Sequence, residues 1–147
     1  MGSLFAKTSS SIKNRQMESV RLFRPQEHQM PFFLTNAPNR VIRGGNRSGK
    51  SMCSAVQVAS AATGIDLTDW QGNLIPNQFR KPHTLVIWVI GFGERHISSP
   101  IYPLLFKAGA FKIIKDAKTD EWRAYDPVVD ASRTSEIKDA PPLIPPR

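Results

Sequence analysis

Residues 44–51 read Gly44-Gly45-Asn46-Arg47-Ser48-Gly49-Lys50-Ser51 and satisfy G-x-x-x-x-G-K-[ST] at every fixed position. Each residue type in that run suits the holding of phosphate. Glycine lets the backbone curl through positive φ and approach a ligand with no Cβ in between. The N–H groups so exposed converge on phosphate oxygens, and the start of the following helix adds partial positive charge. Lys50 can reach the outer phosphates, and the Ser51 hydroxyl can ligate Mg2+. Asn46-Arg47-Ser48 also matches a glycosylation acceptor, for which a phosphate loop is the better account.

Such a loop needs a strand before it and a helix after it. "RVIRG" (40–44) is short and β-branched, with Val41 and Ile42 as its apolar pair. "KSMCSAVQVASAATG" (50–64) predicts a helix closed by Gly64 as its C-cap. Met52, Ala55, Val56, Ala59 and Ala62 fall on one stripe of that helix, narrow enough to lie close against a sheet. Residues 64–83 read as a long excursion with little regular structure. "TLVIWVIG" (84–91) is a continuous apolar run, typical of a strand buried on both faces of a parallel sheet. Strand, helix and strand together predict an α/β fold: a P-loop NTPase with a mainly parallel sheet flanked by helices, incomplete at the C-terminal end. Further along, Ser99 can cap a helix that begins at Pro100 and buries Ile101, Leu104 and Leu105. "FKIIKD" (111–116) and "EWRAY" (121–125) predict a hairpin or edge pair.

Upstream, Pro25 can start a short helix and Pro31 would end or kink it, leaving Phe32, Phe33 and Leu34 as an apolar plug. Gln29 stands 15 residues ahead of Gly44, where a side-chain amide could meet both donor and acceptor edges of adenine; Gln26 is the alternative.

Charge is unevenly spread. Residues 1–50 hold nine Lys or Arg against two Glu, a balance of +7, whereas 51–147 hold eleven against ten, a balance of +1. A basic half of this kind suits a polyanion, either nucleotide phosphates or a DNA backbone, and is equally compatible with a solvated surface. No apolar run approaches the roughly 18 residues of a membrane span, and no secretory signal is present. Cys53 is the one cysteine, which excludes an internal disulfide. These features predict a cytoplasmic protein with no membrane partner, in the host cytoplasm if it is viral.

Acidic residues are where the motif finds least support. Glu94, Asp116 and Asp130 each follow an apolar stretch, yet each reads best as a solvated loop carboxylate rather than an Mg2+-holding acid. His28, His83 and His96 are too scattered to ligate a metal by spacing. The end of the chain, "DPVVDASRTSEIKDAPPLIPPR", places four of the twelve prolines within 141–146, a density that predicts extended linker. The expected organisation is a basic segment over 1–24, a partial ATPase domain over 25–140, and a Pro-rich linker or truncation point over 141–147.

With "RPQEHQMPFF" ahead of "GGNRSGKS" and "PHTLVIWVIG" behind it, the chain resembles the N-terminal ATPase region of a tailed-phage terminase large subunit over roughly residues 20–147. The resemblance implies a viral DNA-packaging motor that couples ATP hydrolysis to translocation of double-stranded DNA. Its cofactors would be ATP and Mg2+. Its partners would be a portal protein and a small terminase subunit, with a homo-oligomeric ring formed at full length. It further implies that Gln29 contacts adenine, Lys50 the phosphates and Ser51 the metal. Arg47 would sense or stabilise the γ-phosphate, a role some relatives give to the position held here by Asn46. Arg95 could serve a neighbouring subunit. The family's Walker B acid and nuclease ligands find no counterpart in these 147 residues. Two alternatives stand beside it: a truncated, non-catalytic nucleotide- or DNA-binding remnant, and another P-loop NTPase such as a helicase.

Overall fold

The computed structural model describes residues 17–79, 85–133 and 137–146. Lys7, Lys13 and Arg15 of the basic segment, and Thr84 at the head of the expected second strand, lie outside the described residues.

Helix α1 (Ser19–Leu22) leads through Pro25 to a 3-10 turn over Glu27–Gln29 and then to α2 (Met30–Leu34). Pro31 occupies the first turn of α2, where its missing N–H is no loss, so it starts this helix rather than ending it. The long helix α3 (Lys50–Thr63) follows the glycine loop and closes on Gly64 at φ 70°, as the sequence predicts. A small hairpin of β1 (Leu67–Thr68) and β2 (Leu74–Ile75) comes next, then α4 (Glu94–Ser98) and α5 (Ile101–Phe106). Helix α5 begins one residue after Pro100, and Ser99 serves as the C-cap of α4 rather than the N-cap of α5.

The last part of the chain forms a three-stranded sheet ordered β4-β3-β5, from β3 (Lys112–Lys115), β4 (Trp122–Ala124) and β5 (Ile137–Asp139). All its pairings are antiparallel, with Ile113 opposite Ala124 on one side and opposite Lys138 on the other. The expected hairpin of 111–116 with 121–125 is therefore formed.

The expected α/β architecture is not. Among the described residues the sheets are one antiparallel pair and one antiparallel triplet, with no parallel pairing, and this is not a P-loop NTPase fold. Residues 41–45 and 85–91 lie outside every strand, and neither run takes part in a ladder. Leu85, Ile87 and Val89 border a cleft with Val58 and Leu105 but remain 36–42% exposed. Val86, Trp88 and Ile90 on the opposite face are 73, 80 and 84% exposed. An alternating apolar pattern selects a face; a sheet also requires a neighbouring backbone, and these two runs find none in the described chain.

The core is built instead around α3. Cys53, Ala55, Val56 and Ala59 bury one side of it against Val20, Phe23, Phe33, Leu67, Ile75, Leu105 and Leu143. Phe23 meets Phe33 and Phe111 edge-on, at ring separations of 6.2 and 5.6 Å. A second small cluster joins Leu22, Ile113 and Ala140 beneath the three-stranded sheet. The proline-rich end is part of this packing: Leu143 is buried, the Ile144 N–H donates to the Leu105 carbonyl at 2.9 Å, and the Ser19 hydroxyl donates to the Pro141 carbonyl. No helix among the described residues is long and apolar enough to cross a membrane.

Candidate phosphate-binding loop

The loop's shape follows from where a side chain cannot go. A Cβ on Gly44 would lie 2.6 Å from Ser48 Oγ and 3.2 Å from Ser48 Cβ, so the two ends of the turn approach each other only through glycine. Asn46 and Arg47 make the bend, with Arg47 in the left-handed region at φ 64° and its side chain exposed. Gly49 is also left-handed, at φ 78°, and hands the chain to α3 as its N-cap. From there the Cys53 N–H bonds the Gly49 carbonyl at 2.9 Å, the first regular bond of the helix.

Lys50 closes the loop on itself. Its ammonium donates to the carbonyls of Gly44 (2.8 Å) and Gly45 (2.6 Å) and to Ser48 Oγ (3.3 Å). Three donors on one cation thus bind the loop's beginning to the helix start, and the loop carbonyls face the ammonium. Ser51 is exposed in the first turn of the helix beside it.

The 3-10 turn brings Gln29 to the other side of the loop. Its Oε1 accepts from the Gln26 N–H at 3.0 Å, which fixes the side chain. Its Nε2 sits so close to Gly49 that a Cβ there would lie 2.4 Å away. Gln29 is buried, whereas Gln26 is exposed, although both border the same cleft. His28 joins them: its Nε2 donates to the Ser48 carbonyl at 3.3 Å. Gly49→Ala should therefore displace Gln29 and strain a left-handed residue, costing about 1–2 kcal/mol from the backbone alone. Gly45 has nothing within 4 Å of a built Cβ, so Gly45→Ala should leave stability unchanged in a urea melt that exposes the Gly49 defect.

The loop separates two clefts. On the Lys50 and Ser51 side lies one of about 500 Å³, bordered by Arg40, Gln57 and Phe79. Arg40 is held there between the rings of Phe32 and Phe79, 5.8 Å from each centroid, and donates to Gln57 Oε1 at 3.3 Å and to Gln78 Oε1. On the Gln29 side lies a cleft of about 380 Å³, bordered by Arg47, Ser48 and Gly49 and by Trp70 and Tyr125. Among the described residues no Asp or Glu lines either cleft.

The acidic candidates lie elsewhere. Glu94 and Arg95 are exposed on α4. Asp130 is wholly buried, against the expectation of a solvated carboxylate, because Arg123 grips it with two bonds of 2.7 and 2.6 Å and the Asp126 N–H adds a third at 3.0 Å. Those Arg123 bonds, opposed by burial, hold its carboxyl below the usual aspartate range. Asp116 is lowered foremost by the Lys118 N–H and then by Arg123. Among the described residues no cluster of His, Cys, Asp or Glu is placed to hold a metal ion.

Of the residues the sequence singles out, 44–51 and Gln29 are brought together. Arg40, His28 and Trp70 are the neighbours that sequence reasoning did not place at the loop. Only Arg40 carried a signal, as a cation four residues ahead of Gly44. No protein-family model, curated protein or solved structure matches this chain.

Proposed function

We propose that the chain binds Mg-ATP through residues 44–51, as the ATP-binding part of a viral DNA-packaging motor. The loop, not the fold around it, supports this reading. The observation that carries it is the loop turn with Arg47 and Gly49 both left-handed, entering a 14-residue helix with the Lys50 ammonium drawn over the loop carbonyls. A helix of that length supplies partial positive charge at its first turn, and Gly45, with nothing within 4 Å of a built Cβ, leaves the loop backbone open beside it. Lys50 would neutralise phosphate charge, and the exposed Arg47 guanidinium would add a bidentate partner. Ser51 offers one hydroxyl to Mg2+, an ion that keeps several waters and takes its other ligands from the phosphates.

The packaging role rests on the resemblance of "RPQEHQMPFF" and "GGNRSGKS" to terminase large subunits, and the basic balance of residues 1–50 suits double-stranded DNA. A portal protein, a small terminase subunit and a ring of like chains belong to the same proposal. Because no carboxylate lines either cleft, the described residues support binding rather than turnover, which favours a non-catalytic nucleotide-binding module as the second reading.

Calorimetric titration with ATP, in the presence and absence of Mg2+, tests this. Saturable one-site binding that weakens without Mg2+ is expected. A folded chain that takes up neither form would overturn the proposal.

A further inference from the structure

We propose that the cleft on the Gln29 side of the loop is a nucleobase pocket, with the indole of Trp70 as the surface on which a purine stacks. This rests on the nucleotide reading above and adds what recognises the base.

Trp70 stands at the tip of the β1–β2 hairpin and is 40% exposed. An exposed indole on a loose turn would mean little, but this turn is rigid. Asp69 Oδ1 accepts from the N–H groups of Gln71 and Asn73 at 2.9 and 2.8 Å, and Asp69 Oδ2 accepts from Asn73 Nδ2 at 2.9 Å. Gly72 supplies the left-handed φ of 88° the turn requires. The turn thus places Trp70 on the same cleft that Arg47, Ser48 and Gly49 border.

The other aromatic residues of that cleft are differently employed. Phe23 is buried, Phe111 packs edge-on against it, and Tyr125 is half-buried. Trp70 alone among them is exposed.

Charge agrees with an anionic aromatic ligand. Arg24 and Lys112 border the cleft along with Arg47, and no acid among the described residues does. Burial pushes the Arg24 guanidinium down from its ordinary value, with Asp69 opposing, so one of the cations bordering the cleft is partly desolvated. Gln29, at the inner end, has its Oε1 on the Gln26 N–H and its amide against Gly49, a position from which it can donate to a purine acceptor.

The test is the affinity of the wild type, Trp70→Ala and Trp70→Phe for Mg-ATP and for inorganic tripolyphosphate. Base stacking should make wild-type binding of Mg-ATP tighter than that of tripolyphosphate. Trp70→Ala should lose about tenfold or more for Mg-ATP and nothing for tripolyphosphate. Trp70→Phe should recover most of the loss. Equal wild-type affinity for both ligands would overturn the base pocket and leave the phosphate loop standing. Equal losses for both ligands in Trp70→Ala would likewise overturn it. A wild type that binds neither ligand would remove the nucleotide reading and the pocket with it. Displacement of Mg-ATP by a short single-stranded oligonucleotide, lost in Trp70→Ala, would assign the cleft to nucleic acid and overturn the mononucleotide pocket.

Discussion

Lys50→Ala lowers affinity for Mg-ATP by at least about a hundredfold while the thermal midpoint moves by only a few degrees. Hydrogen bonds to a charged partner contribute about 1.5–3 kcal/mol each, and an ammonium with three donors can offer more than one to the phosphates. Loss of two such bonds accounts for the hundredfold on its own. The protein's stability depends on Lys50 far less. Its contacts are to Gly44, Gly45 and Ser48 within one half-buried surface loop, and none reaches the core around Val56 and Phe33. Lys50→Met separates charge from packing. It keeps an apolar stem near Gly44, where a built Cβ would approach the Lys50 Cδ to 3.8 Å. Equilibrium dialysis should find Lys50→Met as poor a binder as Lys50→Ala. Retained affinity in Lys50→Met would show that the ammonium is not the phosphate contact.

Asp130→Ala destabilises the fold by about 3 kcal/mol, the lower end expected when one partner of a buried ion pair is removed. The lower end applies because Arg123 is 28% exposed in its side chain and can regain water, whereas Asp130 is not exposed at all. The substitution also frees the Asp126 N–H and leaves Arg123 with one carboxylate, Asp116 at 3.2 Å, and the Ala124 carbonyl at 3.1 Å. The same pair sets an acid dependence. Asp130 and Asp116 are both held below the ordinary aspartate value in the folded chain. Their contribution is therefore fully present above the unfolded value of about 4 and is lost as pH falls below it toward the folded value. Urea melts from neutral to acid pH should show a stability loss in the wild type that is smaller in Asp130→Ala. A melt midpoint that falls equally in both would place the acid sensitivity elsewhere.

Local signals in the sequence specify several elements. The helix over 50–63 follows from its small-residue stripe and its closing glycine, and the β3–β4 hairpin follows from two short β-rich runs around a polar turn. Gln29 is held beside the loop by its bond from the Gln26 N–H within one 3-10 turn, a relation contained within a few residues. What failed was non-local. "TLVIWVIG" encodes an apolar strand but not the identity of a neighbour, and without one its outer face stays exposed. Asp130 looked solvated because nothing in "DPVVD" announces Arg123, which reaches it only through the β4 register. The prolines of 141–146 argue against helix, yet they do not say whether the extended segment lies in water or, as Leu143 does, in the core. Trp70 gave no signal either, since its meaning depends on a turn held by Asp69 and on a cleft assembled from five separate stretches of chain.

The central claim is that the backbone of 44–51 holds nucleotide phosphate, and amide-resolved NMR of the 15N-labelled chain titrated with Mg-ATP tests it most directly. The account predicts saturable shifts concentrated in the backbone amides of Gly45 to Ser51 and in the Gln29 side-chain amide. Saturable shifts confined to other parts of the folded chain, or none at all, would contradict it.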